Sequence, residues 1–195
     1  MSYHEHMFGL EKECVFYDTE YTTWEGAMER NWSGTNEHRE IVQIGAIIVD
    51  TSRFEELDSF SVLVRPHINP KLSSYFIELT GISAELVDRE GVGFKEALDA
   101  FYEWAGERHL YAFGRDYDVI QENCDLSGVR NPFPVDHFHN SRTIFKDRGI
   151  PVENYTSGTI TNAFGIEPIR RGHDGLNDAR TVLDGFRLLA ERNRN

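Results

Sequence analysis

Two carboxylates spaced two residues apart end an apolar segment near the start of the chain. Residues 14–20, C-V-F-Y-D-T-E, close with Asp18 and Glu20. Successive side chains of a β-strand point to opposite faces, so a strand here places both acids on one face. Two negative charges so close are costly unless a cation lies between them. The pattern predicts either a divalent metal site or, because D-x-E is common by chance, a strand that ends in solvent.

Two later segments carry the groups that this first pair lacks. D-Y-D at residues 116–118 follows an apolar segment, at a strand-to-helix junction where ligand sites of open α/β sheets commonly lie. It offers two candidates, Asp116 and Asp118, of which Asp116 could instead cap the helix. His173 precedes Asp178 by five residues at the start of the last helical segment.

Four carboxylates and one histidine are the inventory that two-metal phosphodiester cleavage requires. Two divalent ions about 3.5 to 4 Å apart hold the attacking and leaving oxygens, and bridging carboxylates set their separation. Hard oxygen ligands without a thiolate favour Mg²⁺ or Mn²⁺ over Zn²⁺. A histidine with a pKa near neutrality can take the proton from the attacking water. The residues therefore indicate hydrolysis with two Mg²⁺ or Mn²⁺ ions as cofactors.

The composition is that of a globular protein with an uneven acidic charge. Of the 195 residues, 39% are hydrophobic and 27% are charged, and the net charge is −13. From residue 141 onward nine Lys and Arg outnumber seven Asp and Glu, so the first 140 residues carry −15. Such a charge argues against binding nucleic acid over the whole surface, so a polyanion must meet a local basic patch or bound metal. No signal peptide and no membrane span of roughly 18 apolar residues is present, and we expect a cytoplasmic protein.

The strands that position these groups are expected to pair antiparallel in the first part of the chain and parallel in the later part. Sequential strands at 14–20, 40–50 and 57–65 predict an antiparallel meander. Residues 21–39 are polar and aperiodic, which indicates a long loop, and long ordered loops tend to be functional. A strand at 109–114 followed by a helix indicates crossover connections, and hence parallel pairing of the later strands.

One α/β domain is the predicted architecture. We expect a single domain over residues 1–195, with its core at about 13–190, a flexible segment at 1–10, and a mixed sheet flanked by helices. Cys14 and Cys124 form neither a disulfide framework nor a zinc motif, so both are expected to be buried thiols.

In this order, the motifs resemble those of the DEDDh family of 3′→5′ exonucleases, which share an RNase H-like fold. Asp18 and Glu20 match the first motif, Asp118 of an aromatic-Asp pair matches the second, and His173 with Asp178 match the third. The resemblance implies that Asp18 bridges both ions, that Glu20 and Asp178 complete one, and that Asp118 holds the other. His173 is then the general base.

Residues 64–83 narrow the resemblance to a subgroup. They are similar to the exoribonucleases that trim histone messenger RNA ends, small RNAs and ribosomal RNA, and to bacterial relatives described as sporulation kinase-pathway inhibitors. This implies a 3′→5′ exonuclease that releases nucleoside 5′-monophosphates from single-stranded 3′ ends, with RNA favoured over DNA. A DNA-directed exonuclease and a regulatory module that binds a protein partner are the alternatives. Gly175 stands where the family often has alanine, and loop 21–39 is longer than in compact members.

The residues directly after the first acids are candidates for binding the 3′-terminal nucleotide. In the family this position contacts the nucleotide, which points to Tyr21, Thr22 and Trp24. A base stacked on Trp24 would contribute about 1 to 3 kcal/mol without regard to sequence. The alternative is that Trp24 only packs the loop.

Other candidates lie further along the chain. Gly81 can let the backbone approach a sugar, or can simply end a helix. Arg170 and Arg171 are the candidates for phosphate contacts, unless they form a solvated basic turn. His137 and His139 lie two apart, as a metal pair on a strand would, but no carboxylate cluster accompanies them in the sequence. We therefore expect structural roles for these two histidines.

Overall fold

A five-stranded mixed sheet carries the first pair of acids on its central strand. The computed structural model describes residues 7–193, and its strand order is β3-β2-β1-β4-β5. The strands are β1 (Glu13–Tyr21), β2 (Ile41–Asp50), β3 (Glu55–Leu63), β4 (Leu110–Ala112) and β5 (Phe138–Asn140). β1, β2 and β3 pair antiparallel, whereas β1, β4 and β5 pair parallel. The predicted mixed sheet, a meander followed by parallel strands, is confirmed.

Helices cover both faces of this sheet. They are α1 (Ser74–Thr80), α2 (Ala84–Glu90), α3 (Phe94–Ala105), α4 (Asp116–Ser127), α5 (Ser141–Lys146) and α6 (Gly175–Arg192), with a 3₁₀ helix at Ser157–Phe164 before α6. Because side chains alternate along β1, Phe16 stacks on Phe186 of α6, at 5.0 Å between ring centroids. Tyr17 faces the other way and meets Phe101 of α3 at 6.0 Å. Burial on both faces explains why β1 and β2 are apolar nearly throughout.

The chain before β1 joins the core within the described residues. Residues 1–6 of the segment expected to be flexible lie outside them, whereas Phe8 and Leu10 pack in the hydrophobic cluster under α6. Cys14 and Cys124 are free, buried thiols. Among the helices of residues 7–193, none combines the length and the apolar character needed to cross a membrane.

Residues 22–40 form the long irregular connection that the sequence indicates, with neither helix nor strand. Its two ends are joined, because Thr22 N–H donates to the Glu40 carbonyl at 2.8 Å and Thr22 Oγ1 donates to the His38 carbonyl at 2.6 Å. An ion pair between Arg30 and Glu37 links its middle. The two ends of the loop therefore lie next to each other, beside the carboxyl end of β1.

Two glycines let the start of α6 lie directly against the sheet. Gly45 of β2 pairs with Asp18, and a Cβ on Gly45 would lie 2.0 Å from the backbone nitrogen of Leu176. A Cβ on Gly175 would lie 2.9 Å from the Asp18 carbonyl oxygen. Backbone on both sides leaves no side chain that could move away. This contact sets how closely Asp178, one turn into α6, approaches β1.

We predict that Gly45→Ala lowers the free energy of unfolding by roughly 2 kcal/mol or more, because the added methyl must push α6 away from the sheet. Urea unfolding measures the loss. Gly93→Ala is the matched control, since a Cβ there meets no atom of the described residues within 4 Å. Gly93 is the N-cap of α3, so its replacement should cost only the smaller difference between glycine and alanine at a cap. Equal losses in the two variants would contradict the packing role of Gly45.

Candidate active site

Three of the predicted acids converge at the carboxyl end of β1. Asp18, Glu20 and Asp178 each present one carboxylate oxygen, and these three atoms all lie within 4.8 Å of one another. The residues are only 9%, 8% and 3% exposed, respectively. The strand places the first two on one face, as expected from its two-residue period, and α6 supplies the third. These carboxylates form the centre of the candidate site.

The second motif brings Asp116, and not Asp118, to this centre. Asp116 begins α4, and its Oδ1 accepts from the backbone N–H of Thr19 at 3.0 Å and from its Oγ1 at 2.7 Å. Asp118 pairs instead with Arg115 and lines a different surface depression. Two residues of helix correspond to a rotation of about 200°, so the two acids leave α4 on opposite sides. The expectation for Asp118 is therefore corrected to Asp116.

Asp178 keeps one carboxylate oxygen available at the centre. Its Oδ2 accepts from Ser157 Oγ at 3.1 Å and from the backbone N–H of His173 at 3.3 Å. Its Oδ1 is buried and has no hydrogen-bond partner among the described residues. A buried acceptor without a donor is costly, and a cation held with Asp18 and Glu20 would satisfy it. The donor set thus fits hard divalent ions.

The first turn of α6 is fixed by a side chain from β2. Asp174 caps the helix by accepting from Asn177 N–H at 2.9 Å. The Gln43 amide accepts from Gly175 N–H at 2.9 Å and donates to Asp174 Oδ2 at 3.2 Å. Because Gln43 pairs with Glu20 in the register of β1 and β2, the same strand position aligns both parts of the site.

Burial and mutual repulsion make the four acids hard to ionise together. Loss of hydration is the main cause, and the neighbouring carboxylates add to it. Together they raise the pKa of Glu20 to about 9 and the pKa of Asp18 well above its usual range. Burial also raises the pKa of Asp178 to about 6, although the Ser157 hydrogen bond opposes this shift. The pKa of Asp116 is raised by burial too, against the two bonds from Thr19.

His173 lies at the rim of the cleft above the acids. Its backbone φ of 60° is in the left-handed region, which is uncommon for a residue with a side chain and typical of strained functional positions. Loss of hydration, followed by the positive charge of Arg171, lowers the pKa of the imidazole. The neutral ring that results at pH 7 is the form that can accept a proton.

The acids open into a cleft of about 480 Å³ between loop 22–40, α1 and the segment before α6. Aromatic side chains line one part of it: Tyr21, Trp24, Trp32 and Tyr75. Arg39, Arg115 and Arg142 bring guanidinium groups to it, and two of these are already paired, Arg39 with Glu122 and Arg115 with Asp118. The Arg39 guanidinium lies 5.5 Å from the ring centroid of Trp32 and 5.9 Å from that of Tyr21. Stacking surfaces and cations together suit a nucleotide strand.

Four residues predicted to bind substrate do not line this cleft. Thr22 is buried, and its hydroxyl is used within the loop. Gly81 ends α1 with a φ of 76°, and the Arg171 side chain lies over it and donates to the last carbonyls of that helix at 3.3 and 3.4 Å. Arg170 forms an ion pair with Asp184. The helix-end interpretation of Gly81 is confirmed, and in this structure both arginines bond to groups of the protein itself.

The cations that do line the cleft carry no local signal in the sequence. Arg39 ends the irregular loop, Arg115 precedes α4 and Arg142 lies in α5. They share the cleft only because the parallel strands and the loop return to one edge of the sheet. Because these arginines are far from the acids along the chain, no sequence motif indicates that they share the cleft.

Comparison with known proteins places this geometry in a family. Residues 15–186 match the family model RNase_T, described as Exonuclease. The 3′-5′ exoribonuclease 1 of Mus musculus is 28% identical over 154 residues, which cover 73% of this chain and 44% of that protein. ERI1 exoribonuclease 2 of Mus musculus is 36% identical over 194 residues, which cover 82% of this chain and 27% of that protein. The chain thus spans less than half the length of these curated relatives.

A solved structure shows the same fold. The nuclease domain of 3′hExo, a DEDDh family member bound to rAMP, superposes with a TM-score of 0.77 at 24% identity, and the match covers 92% of each chain. The RNase H-like exonuclease fold expected from the motifs is confirmed. Since the family model covers most of the sequence, the chain belongs to the RNase_T exonuclease family.

Proposed function

We propose that this protein is a metal-dependent 3′→5′ exonuclease that removes nucleoside 5′-monophosphates from single-stranded RNA. The observation that carries the proposal is the cluster of buried acids, in which one oxygen of Asp178 has no hydrogen-bond partner within residues 7–193, open to a cleft with aromatic and cationic walls. A protein that only binds a partner has no use for four carboxylates that repel one another. Relatives named as exoribonucleases support RNA as the substrate, with DNA as the alternative.

The acids would hold two divalent ions, Mg²⁺ or Mn²⁺. Asp18, Glu20 and Asp178, together with Asp116 beside them, are the residues that would hold these ions. When bound, the ions would polarise the phosphodiester and neutralise the charge that develops on it. Thr19 orients Asp116, and Ser157 orients Asp178, so each carboxylate presents a fixed oxygen.

The cleft residues would bind the substrate strand and move its proton. Trp24 and Tyr21 offer surfaces on which the terminal base can stack. Arg39 and Arg142 would contact phosphates next to the acids, which reconciles a polyanionic substrate with a net charge of −13. His173, neutral at pH 7, would accept the proton of the attacking water at a ring nitrogen.

The assay uses end-labelled single-stranded RNA and DNA with Mg²⁺, with Mn²⁺ and with EDTA. We expect shortening from the 3′ end that requires the metal. Asp116→Asn should lower kcat/KM by roughly 100-fold or more, because it removes a charged ligand, whereas Asp118→Asn should change it by no more than about threefold. The two variants make the same chemical change in the first turn of α4, on opposite sides of the helix, so each controls for the other.

Two outcomes would overturn parts of this proposal. If Asp118→Asn abolished turnover and Asp116→Asn did not, the assignment of the fourth carboxylate would be wrong. If the wild type and Asp18→Asn were equally inert on both polymers with both metals, hydrolysis itself would be abandoned in favour of a regulatory module that binds a protein partner.

His173→Ala should lower kcat by roughly 100-fold or more while leaving metal affinity nearly unchanged, because the imidazole moves a proton and is not a ligand. Titration with Mn²⁺ followed by calorimetry separates the two effects. Asp18→Ala is the reference for lost metal binding. A comparable loss of affinity in His173→Ala would show that the histidine is instead part of the metal site.

Metal-free protein should become less stable as pH rises from about 4 to about 9. The folded pKa values of Asp178, about 6, and Glu20, about 9, lie above their ordinary values of 3.8 and 4.5. A raised pKa gives stability that is complete below the unfolded pKa and lost as pH passes through the folded pKa, at about 1.4 kcal/mol per pKa unit. Thermal unfolding in EDTA measures this slope.

The same experiment contains its own controls. Mg²⁺ should reduce the slope, because cations replace the protons, and Asp178→Asn should reduce it in EDTA. Glu167→Gln removes an exposed charge that is neither in the cluster nor among the residues that line the cleft, and should leave the slope unchanged. An equal slope in all three proteins would mean that the acids do not titrate as argued.

A further inference from the structure

A second group of metal-ligand side chains lies at the other end of the parallel strands. His109, just before β4, His139, in β5, and Glu11, just before β1, each offer a donor atom within 4.8 Å of the other two. His109 Nδ1 is 3.3 Å from Glu11 Oε1 and 2.6 Å from His139 Nε2. The sequence shows only His137 and His139 as neighbours. In the fold, the neighbour of His139 in this group is His109 and not His137, and Glu11 supplies the carboxylate that the sequence did not indicate.

The parallel register explains why these residues meet. Tyr111 of β4 pairs with His139 of β5, and His109, two residues earlier, points to the same face as Tyr111. Thr51 Oγ1 donates to the Glu11 carbonyl at 2.7 Å and fixes the chain before β1. The Tyr111 hydroxyl donates to Glu11 Oε2 at 2.8 Å, which leaves Oε1 turned toward His109. Outer hydrogen bonds of this kind orient metal ligands in known sites.

The two imidazoles present ring nitrogens to each other. Their planes differ by 5° with centroids 4.9 Å apart, and with nitrogens 2.6 Å apart the rings must meet edge to edge. His137 packs on the face of His109, with centroids 4.6 Å apart and an angle of 17°. The His109 ring is therefore held from its face by His137 and at its edge by His139 and Glu11.

We propose that His109 Nδ1, His139 Nε2 and Glu11 Oε1 bind one Zn²⁺ ion. Two imidazoles and a carboxylate form a donor set used for tetrahedral zinc, whose fourth position is taken by water. Tetrahedral ligands at about 2.0 to 2.1 Å from the ion lie about 3.4 Å apart, close to the distance from His109 to Glu11. The two nitrogens must separate by a little under 1 Å, and one imidazole must shift its proton to its other nitrogen. Side-chain rotation allows the separation, and proton exchange with solvent allows the change of tautomer.

This site differs in kind from the acidic cluster. Imidazole nitrogens favour Zn²⁺, whereas the carboxylates at the opposite end of β1 favour Mg²⁺ or Mn²⁺. Val15 N–H donates to the His109 carbonyl, and Asp18 lies three residues further along β1, which is roughly 10 Å along the strand. Ligands from the segment before β1, from the start of β4 and from β5 would be joined by the ion. Zinc here therefore fastens three separate parts of the chain and takes no part in turnover.

The test measures zinc in the whole 195-residue chain with its acidic cluster disabled by Asp18→Asn and Asp178→Asn. After equilibration with micromolar ZnCl₂ and excess Mg²⁺, followed by gel filtration, we expect one retained zinc per chain and a higher unfolding temperature. Adding His139→Gln should remove the retained zinc and the shift in temperature, and Glu11→Gln should weaken affinity by roughly tenfold or more. His67→Gln is the matched control and should retain both.

The outcomes are distinct. Zinc retained equally with His139→Gln and with His67→Gln, or no zinc retained by the parent, would overturn the site. Circular dichroism checks that each variant is folded. Because Glu11 is half-exposed, Glu11→Gln disturbs the core least among the variants of the zinc ligands. In protein with an intact acidic cluster, His139→Gln should leave Mg²⁺-dependent nuclease turnover within about twofold, which separates this proposal from the proposed function.

Discussion

Repulsion among four buried carboxylates is the constraint around which this fold is arranged. Burial raises the pKa of Asp18, Glu20, Asp116 and Asp178, and neighbouring carboxylates raise it further for Asp18, Glu20 and Asp178, so the protein spends stability to keep them together. Only a rigid frame can hold such a group. β1 supplies it, because the strand is central, paired on both sides and buried on both faces.

The start of α6 adds the Asp178 carboxylate to the cluster, and its N-terminus also supplies a partial positive charge that offsets part of the repulsion. The partial positive charge of a helix N-terminus lies where Asp178 enters the cluster, and it favours the ionised carboxylate. That benefit falls off within one turn, so α6 must lie against the sheet. Gly45 and Gly175 allow that contact, and Gln43 fixes the direction of the first turn. Gly175, in the third motif, thus lets the helix N-terminus lie close enough to the acids to stabilise their charge.

The sequence predicted which site residues lie together when they are close along the chain. It did not predict this for residues that only the fold brings together. The two-residue period of a strand is enough to place Asp18 and Glu20 on one face. The choice between Asp116 and Asp118 depends on where α4 begins, and a difference of two residues turns a side chain to the opposite side of the helix. Arg39 and Arg142 reach the cleft from separate elements, so no spacing along the chain indicates them.

The two ends of β1 carry ligand sets of opposite preference, and this has a consequence for how ions distribute between them. Zinc binds most nitrogen and oxygen sites more tightly than magnesium, so affinity alone would place zinc at both ends. A site with two imidazoles would take zinc first, while Mg²⁺, which is far more abundant in cells, would occupy the carboxylates. If both proposed sites are present, one strand holds a structural ion at its start and catalytic ions at its end, and ligand chemistry keeps the two roles apart.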